Sequence, residues 1–165
     1  MQYAHNIKIK VFCKEKDNPE ELKISLLSLL PFEDDELEKE KIGLEEEELA
    51  FDDGSRIRIF SVFLSKQRHV RKVLEHIFGL LDEDQKEFLL ETLDSRLDES
   101  MNLFFRLDKD KLNIGECELT DSGNCFHFRV NIAAYPNKVE IARKIAREMI
   151  ENSKNKGKII NTTNK

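Results

Sequence analysis

At 165 residues the chain suits one domain, which would bury about 70% of its unfolded surface. Hydrophobic residues make up 39% and charged residues 36%, a soluble globular composition, and no apolar run approaches the ~20 residues of a membrane span. The net charge of −6 argues against a uniformly basic nucleic-acid binder, yet residues 33–48 alone carry −8, so the other 149 residues carry +2 and local patches decide the question.

In chain order, MQYAHNIKIK lacks the apolar core of a signal peptide, which places the protein in the cytoplasm. From Asn6 to Phe12, Ile7, Ile9 and Val11 alternate with Lys8 and Lys10, the period of a half-buried strand. Asn18 caps a helix with Pro19 in its first turn and Glu21 at the capping-box position. Its buried stripe is Leu22, Leu26, Leu29 and Leu30, and Pro31 stops it. The acidic segment 33–48 reads as a solvated linker or insertion, because its like charges repel. Leu49–Phe51 and Ser55–Leu64 form a hairpin around Asp52-Asp53-Gly54, where Gly suits a positive φ.

Ser65 caps a second helix to about Leu81, with Val70, Val73, Leu74, Ile77 and Leu81 inward. Asp82 and Gln85 open a third, burying Leu89, Leu90, Leu93 and Leu97. Asn102–Asp108 returns to strand, Lys109–Gly115 is a turn, and Glu116–Thr120 is another strand. Asp121-Ser122-Gly123-Asn124 turns into a long strand, Cys125–Ala134, which Tyr135-Pro136-Asn137 ends. A last helix, about Lys138 to Asn152, buries Ile141, Ala142, Ile145, Ala146 and Met149. The expected fold is one α+β domain over 1–152, order β-α-β-β-α-α-β-β-β-α, with a mostly antiparallel sheet of about six strands and four helices. A flexible basic tail, 153–165, follows.

Cys13, Cys117 and Cys125 have no C-x-x-C spacing, which favours buried thiols over a zinc site or disulfide framework. The sequence has no phosphate-binding loop, no H-x-x-x-H and no nucleophile elbow, so no cofactor or metal is expected. Arg-Leu-Asp occurs twice, at 96–98 and 106–108, but the first triplet ends a helix and the second lies in a strand. Their carboxylates are therefore not equivalent, and a metal-dependent hydrolase using Asp98 and Asp108 is the weakest reading.

Basic residues are better organised. Between Ser55 and His76 lie Arg56, Arg58, Lys66, Arg68, Arg71 and Lys72 against one acid, Glu75. Lys8, Lys10, Arg106, His127 and Arg129 alternate with core positions in strands. The last helix adds Lys138, Arg143, Lys144 and Arg147. If those strand faces share one side, the fold presents a basic surface to phosphates. An ordinary solvated surface would also carry these residues. Phe60, Phe104 and Phe126 are either base-stacking platforms or core.

The stretch RLDESMNLFFRLDKDKLNIGECELTDSGNCFHFRVNIAAYPNK resembles the C-terminal half of an archaeal family described as RNA-binding proteins and predicted exosome subunits. Its marks here are Arg96-Leu97-Asp98, Arg106-Leu107-Asp108-Lys109, Gly115-Glu116, the Asp121 turn and Ala134-Tyr135-Pro136. The N-terminal half is similar to the family too, and the likeness spans about residues 5–150. Asp110-Lys111 departs from the family pattern and offers Lys109 a local carboxylate.

The resemblance implies a fold similar to the ribosomal protein that binds 5S RNA, structured RNA as partner, and association with the exosome or a ribosome-related complex. The expected protein is non-catalytic, with Arg56, Arg58, Lys66, Arg68, Arg71, Lys72, Arg106, Lys109, Arg129, Lys138 and Arg143 on RNA. Recognition would follow shape more than base sequence. The alternative is a protein-interaction module docking through the acidic 33–48 segment. A dimer is compatible with either reading.

Overall fold

The alternation of Ile7, Ile9 and Val11 with two lysines builds β1 (Ala4–Cys13), the central strand of a five-stranded sheet. The computed structural model describes residues 2–153. β1 pairs antiparallel with β3 (Arg56–Leu64) on one side and β5 (Cys125–Ile132) on the other. β2 (Glu45–Ala50) lies outside β3, and β4 (Asn102–Asp108) lies outside β5, so the order is β2-β3-β1-β5-β4.

The register sets the two faces of the sheet. Ile7, Ile9 and Val11 line up with Leu64, Val62 and Phe60 across β3 and with Val130, Phe128 and Phe126 across β5, and all are buried. The β4 residues Leu103, Phe105 and Leu107 continue that layer; the Phe105 and Phe128 rings stack with centroids 4.6 Å apart. Such a pair adds about 0.5–1.5 kcal/mol beyond its buried area.

Helices cover this face. α1 (Pro19–Ser28) begins where Asn18 Oδ1 accepts from the Glu20 and Glu21 amides, and it sets Leu22 and Leu26 into the core. α3 (Gln67–Leu80) contributes Val70, Val73, Leu74, Ile77 and Phe78. α4 (Glu83–Glu91), capped by Asp82 on the Gln85 amide, and α7 (Val139–Glu151) complete the layer with Leu89, Ala142, Ala146 and Met149. No helix among the described residues is long and apolar enough to cross a membrane.

Four expectations change. Among the described residues the six expected strands are five: Glu116–Thr120 touches the β4 edge through a single Leu119–Leu107 bridge. Gln85 takes the ladder's place, its Oε1 accepting from the Leu119 amide and its Nε2 donating to the Cys117 carbonyl. The capping box is therefore one-sided, because that amide is spent elsewhere.

The four expected helices are seven among the described residues. The third expected helix breaks at Thr92, whose hydroxyl donates back to the Phe88 carbonyl, and resumes as the single turn α5 (Leu93–Arg96). The expected turn after β4 is a short helix, α6 (Lys109–Asn113), because Asp108 Oδ1 caps the Lys111 amide.

The acidic linker is structured. Residues 33–48 supply α2 (Asp34–Lys39) and most of β2. Three acids in the first turn of α2 favour its dipole. Leu37, Ile42 and Leu44 pack against the core, and distant cations relieve the repulsion. The second helix also starts later than Ser65, with Lys66 at its cap. The tail beyond Ser153 lies outside the described residues.

Candidate nucleic-acid interface

The residues between the core positions of the strands face away from the helices. Register aligns them in rows across the sheet. Phe63, Lys8, Arg129 and Phe104 form one row over β3, β1, β5 and β4. Glu45, Ser61, Lys10, His127 and Arg106 form the next, with the acid at the β2 edge, and Asn6, Asn131 and Asn102 a third. Strands about 4.8 Å apart place the two phenylalanines roughly 14 Å from each other, with both cations between. Phe63 and Phe104 are 46% and 42% exposed, unusually open for sheet aromatics.

The chemistry of these rows is complementary to a nucleic-acid strand. Lys8, Lys10, Arg106 and Arg129 offer charged donors to phosphate oxygens, and the two exposed rings offer flat apolar faces. Arg106 is aimed by the 121–122 turn: its Nη1 donates to the Asp121 carbonyl at 3.0 Å. Beside it a recess of about 400 Å³ runs between Phe104, Arg106 and the α4–α5 residues Phe88, Ser95 and Arg96. Burial holds the His127 imidazole below its ordinary pKa, and Arg106, Lys10 and Lys109 push the same way. The ring is thus a neutral donor and acceptor amid cations, edge-on to Phe12.

Residues 6–132 match a family model described as RNA binding. The chain belongs to this RNA-binding family. It is 30% identical over 148 residues to an RNA-binding protein of Pyrococcus abyssi, covering 90% of this chain and 94% of that one. The solved structure of a DUF54 protein from Archaeglobus fulgidus superposes with a TM-score of 0.77 at 26% identity, over 88% of this chain and 99% of that one. A DUF54 protein from Methanothermobacter thermautotrophicus gives 0.70 at 25%, over 90% and 98%.

In this member of the RNA-binding family, the basic residues singled out from sequence do not form one patch. Arg106 and Arg129 lie on the open face. Arg56 and Arg58 point to the opposite side, where Arg56 pairs with Glu48 at 3.0 Å and Arg58 with Glu46 at 2.7 Å. At the start of α3, the cap residue Lys66 and Arg68 converge on Glu40 beyond the end of β3, and Lys72 on α3 faces Glu36 at 3.8 Å. Arg71 lines a separate cavity with Tyr3, Glu75 and Met149. Lys138 is exposed ahead of α7, and Arg143 on α7 is bound to Asp94.

Lys109 is sealed in the interior, away from the open face. It is 1% exposed, and its ammonium donates to the Phe12 carbonyl at 2.8 Å and to Asp17 at 3.0 Å. Asp110, its expected partner, accepts from Asn124 instead. The candidate platforms divide likewise: Phe60 and Phe126 are wholly buried, and Phe104 is open.

Phe63 was the aromatic that sequence reading missed. Its signal was its place in the alternation of β3, opposite the buried Val62 and Leu64. Lys8 and Lys10 alternate with the core in sequence, yet only the register shows them central. Asp98 and Asp108 both serve as backbone acceptors, Asp98 for the Ser100 and Asn102 amides and Asp108 for Lys111.

Proposed function

We propose that the protein binds structured RNA across the open face of its sheet and carries out no chemistry on it. Lys8, Lys10, Arg106 and Arg129 hold phosphates and 2′-hydroxyls, while Phe63 and Phe104 stack on unpaired bases that flank a helical region. The observation that carries this reading is the row Phe63–Lys8–Arg129–Phe104, two cations framed by two exposed rings. Membership of the RNA-binding family supports it. The resemblance to exosome subunits, and to the ribosomal 5S RNA binder, extends the proposal to a partner complex and an RNA class. Co-purification of RNA-degrading subunits with the tagged protein from native cells would test the partner.

The docking alternative is weakened by the internal use of its charges. Glu36, Glu40, Glu46 and Glu48 each pair with a basic residue of the same chain.

The decisive experiment is the double variant Lys8→Glu/Arg129→Glu, titrated with a labelled RNA stem-loop at several salt concentrations. Binding should fall at least tenfold, and the salt dependence should flatten by roughly two counterions. A folded variant with wild-type affinity would remove the open face from the site.

A further inference from the structure

One carboxylate oxygen, Glu40 Oε1 at the end of α2, receives three donors from the start of α3. Lys66 Nζ lies at 2.9 Å, His69 Nε2 at 2.9 Å, and the Arg68 guanidinium closes the set. His69 is 4% exposed, so part of this corner is built into the core, with Phe32 edge-on to the imidazole. α3 does not neutralise the corner itself. Its first turn holds no acid, and no side chain caps its amides. Positive dipole and cations therefore add at the same place, the condition under which an anion is bound. The anion comes from another element, 26 to 29 residues earlier in the chain.

We propose that Lys66, Arg68 and His69 form a phosphate-binding site for the RNA backbone, which Glu40 occupies in the free protein as an intramolecular stand-in for phosphate. The proposal rests on the RNA-binding reading above and adds a second contact region to it. The recess holding Glu40, Lys66 and His69 is also lined by Phe63, the ring that ends the central row of the open face. An RNA strand stacked on Phe63 would therefore border the same recess. A phosphodiester carries the same single negative charge on two unesterified oxygens, so it can take over the donors that Glu40 now occupies.

Displacement does not require α2 to leave. Leu37, Ile42 and Leu44 pack on the core and would keep the arm attached while the Glu40 side chain swings away. Competition with Glu40 lowers affinity for every polyanion, and only RNA that also engages the open face recovers the loss. The arm thereby sets a threshold that free anions do not pass and RNA already held on the open face does.

The test uses Glu40→Ala and Glu40→Gln in the full chain, the second preserving shape where the first loosens α2. Inorganic phosphate is titrated while the His69 imidazole is followed by NMR, and the stem-loop affinity is measured in parallel. Both variants should show saturable phosphate shifts at His69 that wild type lacks, and about three- to tenfold tighter RNA binding. Adding Arg68→Ala should reverse the gain. If either Glu40 variant is folded and shows no saturable shift at His69, or no tighter RNA binding, the proposal is overturned. Saturable phosphate shifts and an affinity gain persisting while Lys8→Glu/Arg129→Glu leaves binding intact would uphold this site and refute the open face.

Discussion

The Lys109 ammonium lies 3.0 Å from Asp17 Oδ2 across 92 residues of sequence, and it is sealed from solvent. It ties α6 to the end of β1 and to the turn that precedes α1. Burial alone would raise the Asp17 pKa, but the Lys14 amide and Lys109 outweigh it, and the carboxyl stays below its ordinary range. Lys109→Met takes the charged donor from the Phe12 carbonyl and from the Asp17 carboxylate, which then keeps only the Lys14 amide among these partners. The expected loss is about 3 kcal/mol, read by urea denaturation. RNA affinity of the folded variant should match wild type, which separates this lysine from the binding set.

The exposed rings give a different signature from the cations. Phe104→Ala and Phe63→Ala should each weaken stem-loop binding by about 1–3 kcal/mol where the ring stacks on a base. The slope of affinity against salt should stay at the wild-type value, because no phosphate contact is lost. Fluorescence anisotropy at three salt concentrations measures both quantities. A changed slope with unchanged affinity would contradict stacking.

Arg56 and Arg58 carry charge on the wrong side of the sheet, already matched by Glu48 and Glu46. Arg56→Gln/Arg58→Gln should leave RNA affinity within twofold of wild type and cost little stability, since exposed pairs contribute weakly. Any large drop in affinity would show that RNA wraps around the β2 edge onto the helical layer.

Acid should expose the role of Glu40. Hydrogen bonds from Lys66 and His69, against a desolvation cost, and the charge of Arg68 hold its pKa at about 2, below the ordinary 4.5. A carboxylate depressed on folding contributes stability fully above its unfolded value. That contribution fades as pH falls from about 4.5 through about 2. Thermal unfolding of Glu40→Gln should therefore show a shallower decline than wild type across this window, and the two curves should converge at its acid end.

His127 should couple RNA binding to protons. Its pKa is held below 6.5 in the free protein, and a phosphate brought among Lys10, Arg106 and Arg129 would favour the imidazolium. Binding then takes up a proton, so affinity should rise as pH is lowered from 7.5 toward 6. His127→Gln should flatten that rise, and an equally steep profile in the variant would assign the proton elsewhere.

Local physics made much of the fold legible in sequence. Period-two alternation located β1, β3, β4 and β5, and the Asn18 and Asp82 caps located two helix starts. The acidic segment misled because its partners are remote. Glu40 is neutralised by residues at 66–69 and Glu46 by Lys23 and Arg58, and no local pattern within 33–48 reveals them. Glu116–Thr120 read as a strand because nothing local reveals that the Gln85 side chain will satisfy its backbone.

The site was legible in residue type and unreadable in direction. Arg58 and Lys10 are both strand cations flanked by apolar neighbours, yet one pairs with a glutamate beside the helical layer and the other joins the open face. Only the register between strands distinguishes them.

The sheet's two borders differ in what they can accept. Backbone groups of Asp108 and Arg106 are taken by Glu118 and Thr120, so growth past β4 is blocked. At β2 the border is bare, and four successive glutamates guard it. A second copy arriving edge to edge would lay one glutamate run against another, so the molecule carries its own deterrent to fibrous self-association.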